Sequence, residues 1–353
     1  MTRVLFVNVT DVSYPRHKAI STSLARAGVD AKIIRRPVNI GYVRRSLRLL
    51  FSGICSGRTD AVILGEFAVS YVWVAWIIAK AKRARLVVDG FIGMHETHIE
   101  DTEKYTSASP QAWFYRLVDY LAFRLADIYL IDTIARRDLL LRRFGRSSKP
   151  PKILVLPVGA PEWACPSPLP SFEGGCRVLY YGNYIPLHGL DKVIYGLSFL
   201  PTHFIWSATF IGPSGLAEPY KALINELGLT DKVEFLDSVP EEDLVKHLKN
   251  CHVVVGVFGD SSKARSVIAN KVWQGIAAGR LVLTQNSIGL AEIRDIFPYS
   301  LLLPRDVAPD SIASILTDTQ AWAVGSAQRH AARKHVDCYM SHHFNVFVSE
   351  ILS

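Results

Sequence analysis

Short apolar runs alternate with helical patterns along this chain of 353 residues, and the alternation starts twice. From the amino terminus the runs are "RVLFVNV" (3–9), "AKIIRRP" (31–37), "AVILG" (61–65), "RLVVDG" (85–90), "IYLID" (128–132) and "ILVLPVG" (153–159). Helical spacing fills residues 17–28, 68–82, 111–125 and 134–144. A stretch rich in Pro, Ser and Gly, "PEWACPSPLPSFEGG" (161–175), has no period. After it come "CRVLYYG", "SATFIG", "VEFLD", "HVVVGVF", "RLVLTQ" and "SLLLP", with helices expected at 189–199, 217–227, 240–250, 270–279, 289–296 and 307–317. Strands that are apolar throughout, separated by helix-length segments, build βαβ units whose parallel sheet is covered on both faces. The chain also exceeds the size at which one core stops growing. The expectation is an α/β protein with two Rossmann-like, doubly wound domains at 1–163 and 176–335. Residues 164–175 form the linker, and a carboxyl-terminal helix at 336–353 returns to the first domain.

Charge is divided unequally between the halves. Residues 1–165 carry 25 Lys and Arg against 14 Asp and Glu, whereas the remainder carries 15 against 18. The basic residues cluster as "RR" (35–36), "RRSLR" (44–48), "KAKRAR" (80–85) and "RRDLLLRRFGR" (136–146). Leucines set between basic pairs, as in the last of these, suit an interfacial helix on an anionic membrane surface; a solvated basic face is the plainer alternative. No nucleic-acid-binding motif accompanies the charge, so nucleic acid is not expected as a partner. The five cysteines are scattered without a C-x-x-C, as in a reduced cytoplasmic protein. The longest apolar stretch, "FAVSYVWVAWIIA" (67–79), is too short to span a bilayer, and no signal peptide opens the chain. These features give an expected location in the cytoplasm, peripheral on the inner face of the cell membrane.

The second half carries "GNYIPLHG" (182–189), "IGPSG" (211–215), "VEFLDSVPEEDL" (233–244), "GVFGDSSKARSVIANKVWQGIAAGRLVLTQ" (256–285) and "AEIRD" (291–295). In this order the motifs resemble glycosyltransferase family 4, in particular its bacterial polysaccharide and glycolipid enzymes with P-L-H-G in the first loop. That resemblance implies the GT-B architecture, with the two domains facing each other across a cleft. It further implies a retaining transferase that takes a UDP- or GDP-linked sugar to a lipid-linked or glycan acceptor in cell-surface glycan biosynthesis, with no metal and no cofactor. The donor residues implied are Gly182, Asn183, His188, Gly189, Gly212, Lys263, Arg265, Asn270, Lys271 and Gln274. Glycine loops entering helices offer backbone N–H groups and a positive dipole end to a diphosphate, and the lysines and arginine add charge. Family members commonly place an Arg and a Lys where Asn183 and His188 stand here, and two glutamates where Ser266 and Gln274 stand. A glutamine can still hydrogen-bond ribose hydroxyls, without the strengthening that a charge gives.

On the acceptor side, "VVDGFIGMHETHIEDTEKY" (87–105) gathers His95, Glu96, His98, Glu100 and Asp101. The spacing is not that of the H-E-x-x-H zinc helix, and no D-x-D occurs. Asp89, His95 and Glu96 are the candidate catalytic residues, to orient or deprotonate an acceptor hydroxyl; helix capping is the alternative for each. Arg16 and His17, in the first βα turn, and Asp132 and Thr133, ending a strand, are the acceptor-binding candidates. Two other classes stay open: a non-catalytic partner that keeps the fold, and a sugar-nucleotide 2-epimerase-like isomerase.

Overall fold

The computed structural model describes residues 2–101, 105–145, 150–318, 322 and 325–353; the side chain of Asp101, and Arg146, lie outside the described residues. Contacts divide the chain into two compact units: unit 1 is Met1–Val158 with Met340–Ser353, and unit 2 is Gly159–Tyr339.

Unit 1 is built on six parallel strands, β1 (Arg3–Val9), β2 (Asp30–Arg35), β3 (Ala61–Leu64), β4 (Arg85–Asp89), β5 (Ile128–Ile131) and β6 (Lys152–Val155), in the order β2-β1-β3-β4-β5-β6. Every residue of β3 and β5 is buried, because helices cover both faces, whereas the edge strand β2 is largely exposed. One face packs on the helix Val72–Lys82 through Val74, Ala75 and Ile78. The other packs on the helix Pro15–Arg26, through Ile20 and Leu24, and on Phe344, Phe347 and Ile351 of the long helix Ser326–Leu352. Direction of travel along the sheet reverses between β1 and β3, and open α/β sheets bind ligands at the carboxyl end of such a reversal.

Unit 2 repeats the plan with β7 (Cys176–Tyr181), β8 (Trp206–Ile211), β9 (Val233–Leu236), β10 (Val253–Val255), β11 (Leu281–Leu283) and β12 (Leu301–Leu302), ordered β12-β11-β10-β7-β8-β9 and parallel. Its reversal falls between β7 and β10. Among the described residues, no helix is long and apolar enough to cross a membrane.

Three expectations change on inspection. A helix, Tyr42–Ile54, occupies a region read only as a charge cluster. The helix expected at 289–296 shrinks to the short turn Leu290–Glu292, since Gly289 is pressed against the Ser266 carbonyl, where a Cβ would stand 2.5 Å away. The leucine-bearing helix Ile134–Phe144 is divided: Arg136 turns inward and Leu140 packs on the core, while Leu141, Arg142 and Arg143 stay exposed.

Candidate functional site

In unit 2 the loops that follow β7 and β10 are bonded backbone to backbone: Phe258 N–H donates to the His188 carbonyl (2.9 Å) and Gly259 N–H to that of Leu187 (3.2 Å). Gly189 makes this possible. Its φ is +56°, and a Cβ would stand 2.5 Å from the Phe258 carbonyl carbon, so a side chain there would part the loops. The paired loops frame the carboxyl end of the sheet at its reversal. Gly212, just after β8, closes against the Gly182 carbonyl, where a Cβ would stand 2.4 Å away.

Lys271 enters this frame from the first turn of the helix Asn270–Ala277. Its ammonium is buried, has no hydrogen-bond partner, and stands 4.1 Å above the ring centre of Tyr180. Burial pulls its pKa down from 10.5 to about 7. A Cβ at Gly182 would stand 3.6 Å from Nζ, in ordinary contact with it. Beside it the His188 Nδ1 lies 2.7 Å from the Asn183 carbonyl, an acceptor, so the imidazole proton belongs on Nδ1 and leaves Nε2 to accept. Burial and then the Lys271 charge hold His188 well below its ordinary pKa, with a smaller push from Lys263. Lys263 is buried in the turn Ser262–Ser266, whereas Arg265 is exposed and faces Asp260 at 3.6 Å.

The two positions where the resemblance leads one to expect glutamates are bonded locally. Ser266 Oγ donates back to the Ser262 carbonyl (2.8 Å), bonding its own turn. Gln274 is buried and accepts from the Tyr181 hydroxyl at 2.7 Å. Its amide nitrogen is the hydrogen-bonding end left over, so it offers donors where a glutamate would offer only an acceptor.

In unit 1 the candidate carboxylates are both claimed by arginines. Arg16, fully buried, sets its Nε 2.7 and 3.0 Å from the two oxygens of Asp89, and Phe91 N–H also donates to Asp89 (3.1 Å). Arg136, buried in the helix that Thr133 caps, reaches Asp132 (2.6 Å), Glu96 (2.5 Å) and the Phe91 carbonyl (2.8 Å). His95 differs. Its Nδ1 lies 3.2 Å from Glu100, which Arg143 also contacts, and its buried Nε2 has no partner. A carboxylate accepts only, so Nδ1 carries the proton and Nε2 is a base; burial lowers its pKa below the ordinary value. His95 opens a π-helical turn, Glu96–Asp101, where a plain loop was expected. Asp119 ties that turn down by accepting from the N–H groups of Met94 and His95. Two further residues at the unit 1 reversal escaped the sequence reading: Asn8 in β1 and Glu66 just after β3, both buried. The available signal was a lone amide and a lone carboxylate, each inside an apolar run. Among the described residues, no three His, Cys, Asp or Glu side chains are grouped so as to hold a metal ion.

Two doubly wound parallel sheets with these reversals define the GT-B fold, the architecture of a class of glycosyltransferases. Sucrose-phosphate synthase from Thermosynechococcus elongatus shares it with a TM-score of 0.75 at 14% sequence identity, over 100% of this chain and 98% of that one. HepE from Anabaena, solved in complex with UDP-glucose, does so with a TM-score of 0.70 at 15% identity, over 100% and 99%. WaaG, a glycosyltransferase involved in lipopolysaccharide biosynthesis, matches at 0.66 and 14% identity, over 99% of each chain. No family model matches the chain, and no curated protein matches its sequence.

Proposed function

We propose that the protein is a retaining, metal-independent glycosyltransferase that carries a hexose from a UDP- or GDP-linked donor to a lipid-linked or glycan acceptor. The observation that carries this reading is the Lys271 ammonium, buried without a counter-ion at the reversal of the unit 2 sheet. A diphosphate is the ligand that completes it, with the helix starting at Asn270 and Lys263 adding positive potential. UDP-glucose bound to HepE, on the same fold, supports the nucleotide class. In the transfer the bond between the anomeric carbon and the diphosphate oxygen breaks and the diphosphate keeps the electron pair. The acceptor oxygen bonds to that carbon and gives up its proton. Of the three catalytic candidates, Asp89 and Glu96 are held by arginines, whereas His95 keeps an open nitrogen to take the proton.

Titration calorimetry with UDP, GDP, ADP and dTDP tests the donor assignment. One of them is expected to bind and, near pH 8, to take up a proton, because the unliganded lysine titrates around 7 and a diphosphate raises that value. Heats in buffers of different ionisation enthalpy count the proton. Absence of binding by every nucleotide would transfer the case to the non-catalytic partner.

The acceptor's membrane anchor is supported by the helix Tyr42–Ile54. Val43, Leu47 and Phe51 recur at four-residue spacing and are 69%, 59% and 73% exposed, with Arg44 and Arg48 exposed beside them. An outward apolar stripe flanked by arginine is the pattern of a helix lying in an anionic lipid interface. Flotation with phosphatidylglycerol vesicles at low salt is expected to carry the protein up, and Phe51→Glu to leave it at the bottom. Equal flotation of the two would remove the helix from the membrane account.

A further inference from the structure

At the edge of the unit 1 sheet, β2 and the helix Tyr42–Ile54 enclose a pocket of about 420 Å³, a volume in the range of small-ligand sites. Its lining combines Arg35 and Arg36, at the end of β2, with Arg48 and Ser52 of the helix and with Val38 and Leu49. No acidic side chain takes part in it. Among the described residues, the side chains of Arg35, Arg36, Arg48 and Ser52 make no hydrogen bond and no ion pair. Like charges gathered in this way repel one another until an anion joins them. Asp11, outside the lining, feels the Arg35 charge, but its carboxylate already accepts from the Ser13 N–H and hydroxyl.

A fourth arginine holds the frame of this pocket. Arg45 donates from Nε to the Pro37 carbonyl and from Nη2 to that of Ile40, both at 2.7 Å, and from Nη1 to the Tyr71 hydroxyl (3.1 Å). Between those carbonyls Asn39 has φ +58°, a left-handed conformation that a non-glycine residue keeps where its surroundings enforce it. Arg36 N–H donates to the Val9 carbonyl (2.8 Å), which ties the start of the connection to the sheet. The hydrogen bonds of Arg45 are spent on the backbone, and those of the three pocket arginines are not.

A guanidinium fork matches two oxygens of a phosphate, and a serine hydroxyl can add a further bond. Three guanidiniums, one of them offset by Asp11, leave about two positive charges, which a phosphomonoester matches at neutral pH and a phosphodiester only half matches. The pocket also borders an apolar surface. Val38 in its lining is 71% exposed, and Leu47 and Phe51 precede Arg48 and Ser52 on the outward stripe of the helix. We propose that this pocket binds a phosphomonoester, the dianionic headgroup of a phosphorylated lipid, with Arg35, Arg36 and Arg48 on the phosphate and the lipid chains beside Val38, Leu47 and Phe51. The lipid as carrier rests on the membrane reading of the helix Tyr42–Ile54; the phosphate site itself does not.

Flotation of the full chain with phosphatidic acid vesicles and with phosphatidylglycerol vesicles of equal surface charge tests it, beside calorimetry with glycerol 3-phosphate, a soluble phosphomonoester. Phosphatidic acid is expected to bind at least fivefold more tightly than phosphatidylglycerol, and glycerol 3-phosphate to give a measurable heat. Arg36→Gln and Arg48→Gln should each bring the two lipids within twofold and weaken glycerol 3-phosphate at least fivefold. Arg26→Gln, the same loss of charge at an exposed position outside the pocket, should leave the preference intact. Equal binding of the two lipids with no glycerol 3-phosphate heat would overturn the site and leave the membrane helix standing. A preference that survives Arg36→Gln and Arg48→Gln would overturn it as well. Glycerol 3-phosphate bound through these arginines, with equal or no binding of the two lipids, would keep the phosphate site and overturn the lipid as its carrier.

Discussion

Lys271→Met is expected to make the protein harder to unfold at neutral pH while weakening its binding of nucleoside diphosphates. The lysine's pKa falls from 10.5 to about 7 because burial penalises its charge, and no partner compensates. Converted at about 1.4 kcal/mol per pH unit, the folded state gives up about 3–5 kcal/mol at or below pH 7. The folded protein binds fewer protons than the unfolded chain between about 7 and 10.5. Relative to the variant, the wild type should therefore gain stability as pH rises through that window. Methionine has nearly the same length, carries no charge, and can lie on the Tyr180 ring. Denaturant melts at about pH 6 and about pH 10 check the sign: the variant's advantage should be large at the first and nearly gone at the second. Nucleotide affinity should drop about tenfold or more, the loss of one charge-assisted contact. A variant less stable than the wild type at pH 6 would mean that the ammonium has a partner, and the donor site would lose its main support.

Arg136→Ala should cost about 3–5 kcal/mol of unit 1 stability, the penalty for breaking a buried ion pair by removing one side. Here the arginine serves two carboxylates, Asp132 and Glu96, and the Phe91 carbonyl. Arg136→Lys should rescue little, because one ammonium cannot reproduce the forked geometry. The triple change Arg136→Met, Asp132→Asn, Glu96→Gln should recover most of the loss, since no charge is then left alone. Unfolding followed by a probe within unit 1 distinguishes these outcomes. Equal losses in the single and triple variants would show that packing, not charge, sets the cost.

The alternation of apolar runs and helices was legible because strands covered on both faces have few other compositions open to them. Lys271 stood out in the sequence because "ANK" directly opens a helix, and the fold adds that its ammonium is buried without a partner. Asp89 and Glu96 show where pattern reading stops. The sequence displays their carboxylates, but not that Arg16, 73 positions away, and Arg136, 40 positions away, occupy them. Asn8 and Glu66 were passed over because each sits in an apolar run, and only the fold shows that both are buried without partners. The helix Tyr42–Ile54 was hidden by its own orientation: its apolar residues face outward, so they do not read as a core stripe beside the basic cluster.

The helix Ser326–Leu352 begins in unit 2 and ends in the core of unit 1, where Phe344, Phe347 and Ile351 pack and Arg85 donates to the Ile351 carbonyl. During synthesis, therefore, the half that emerges first is the half completed last. Unit 2, continuous in sequence, can close while unit 1 waits with one face of its sheet open until Phe344, Phe347 and Ile351 have left the ribosome. In that interval the apolar side chains that will meet Phe347 are available to chaperones, or to a second unfinished chain.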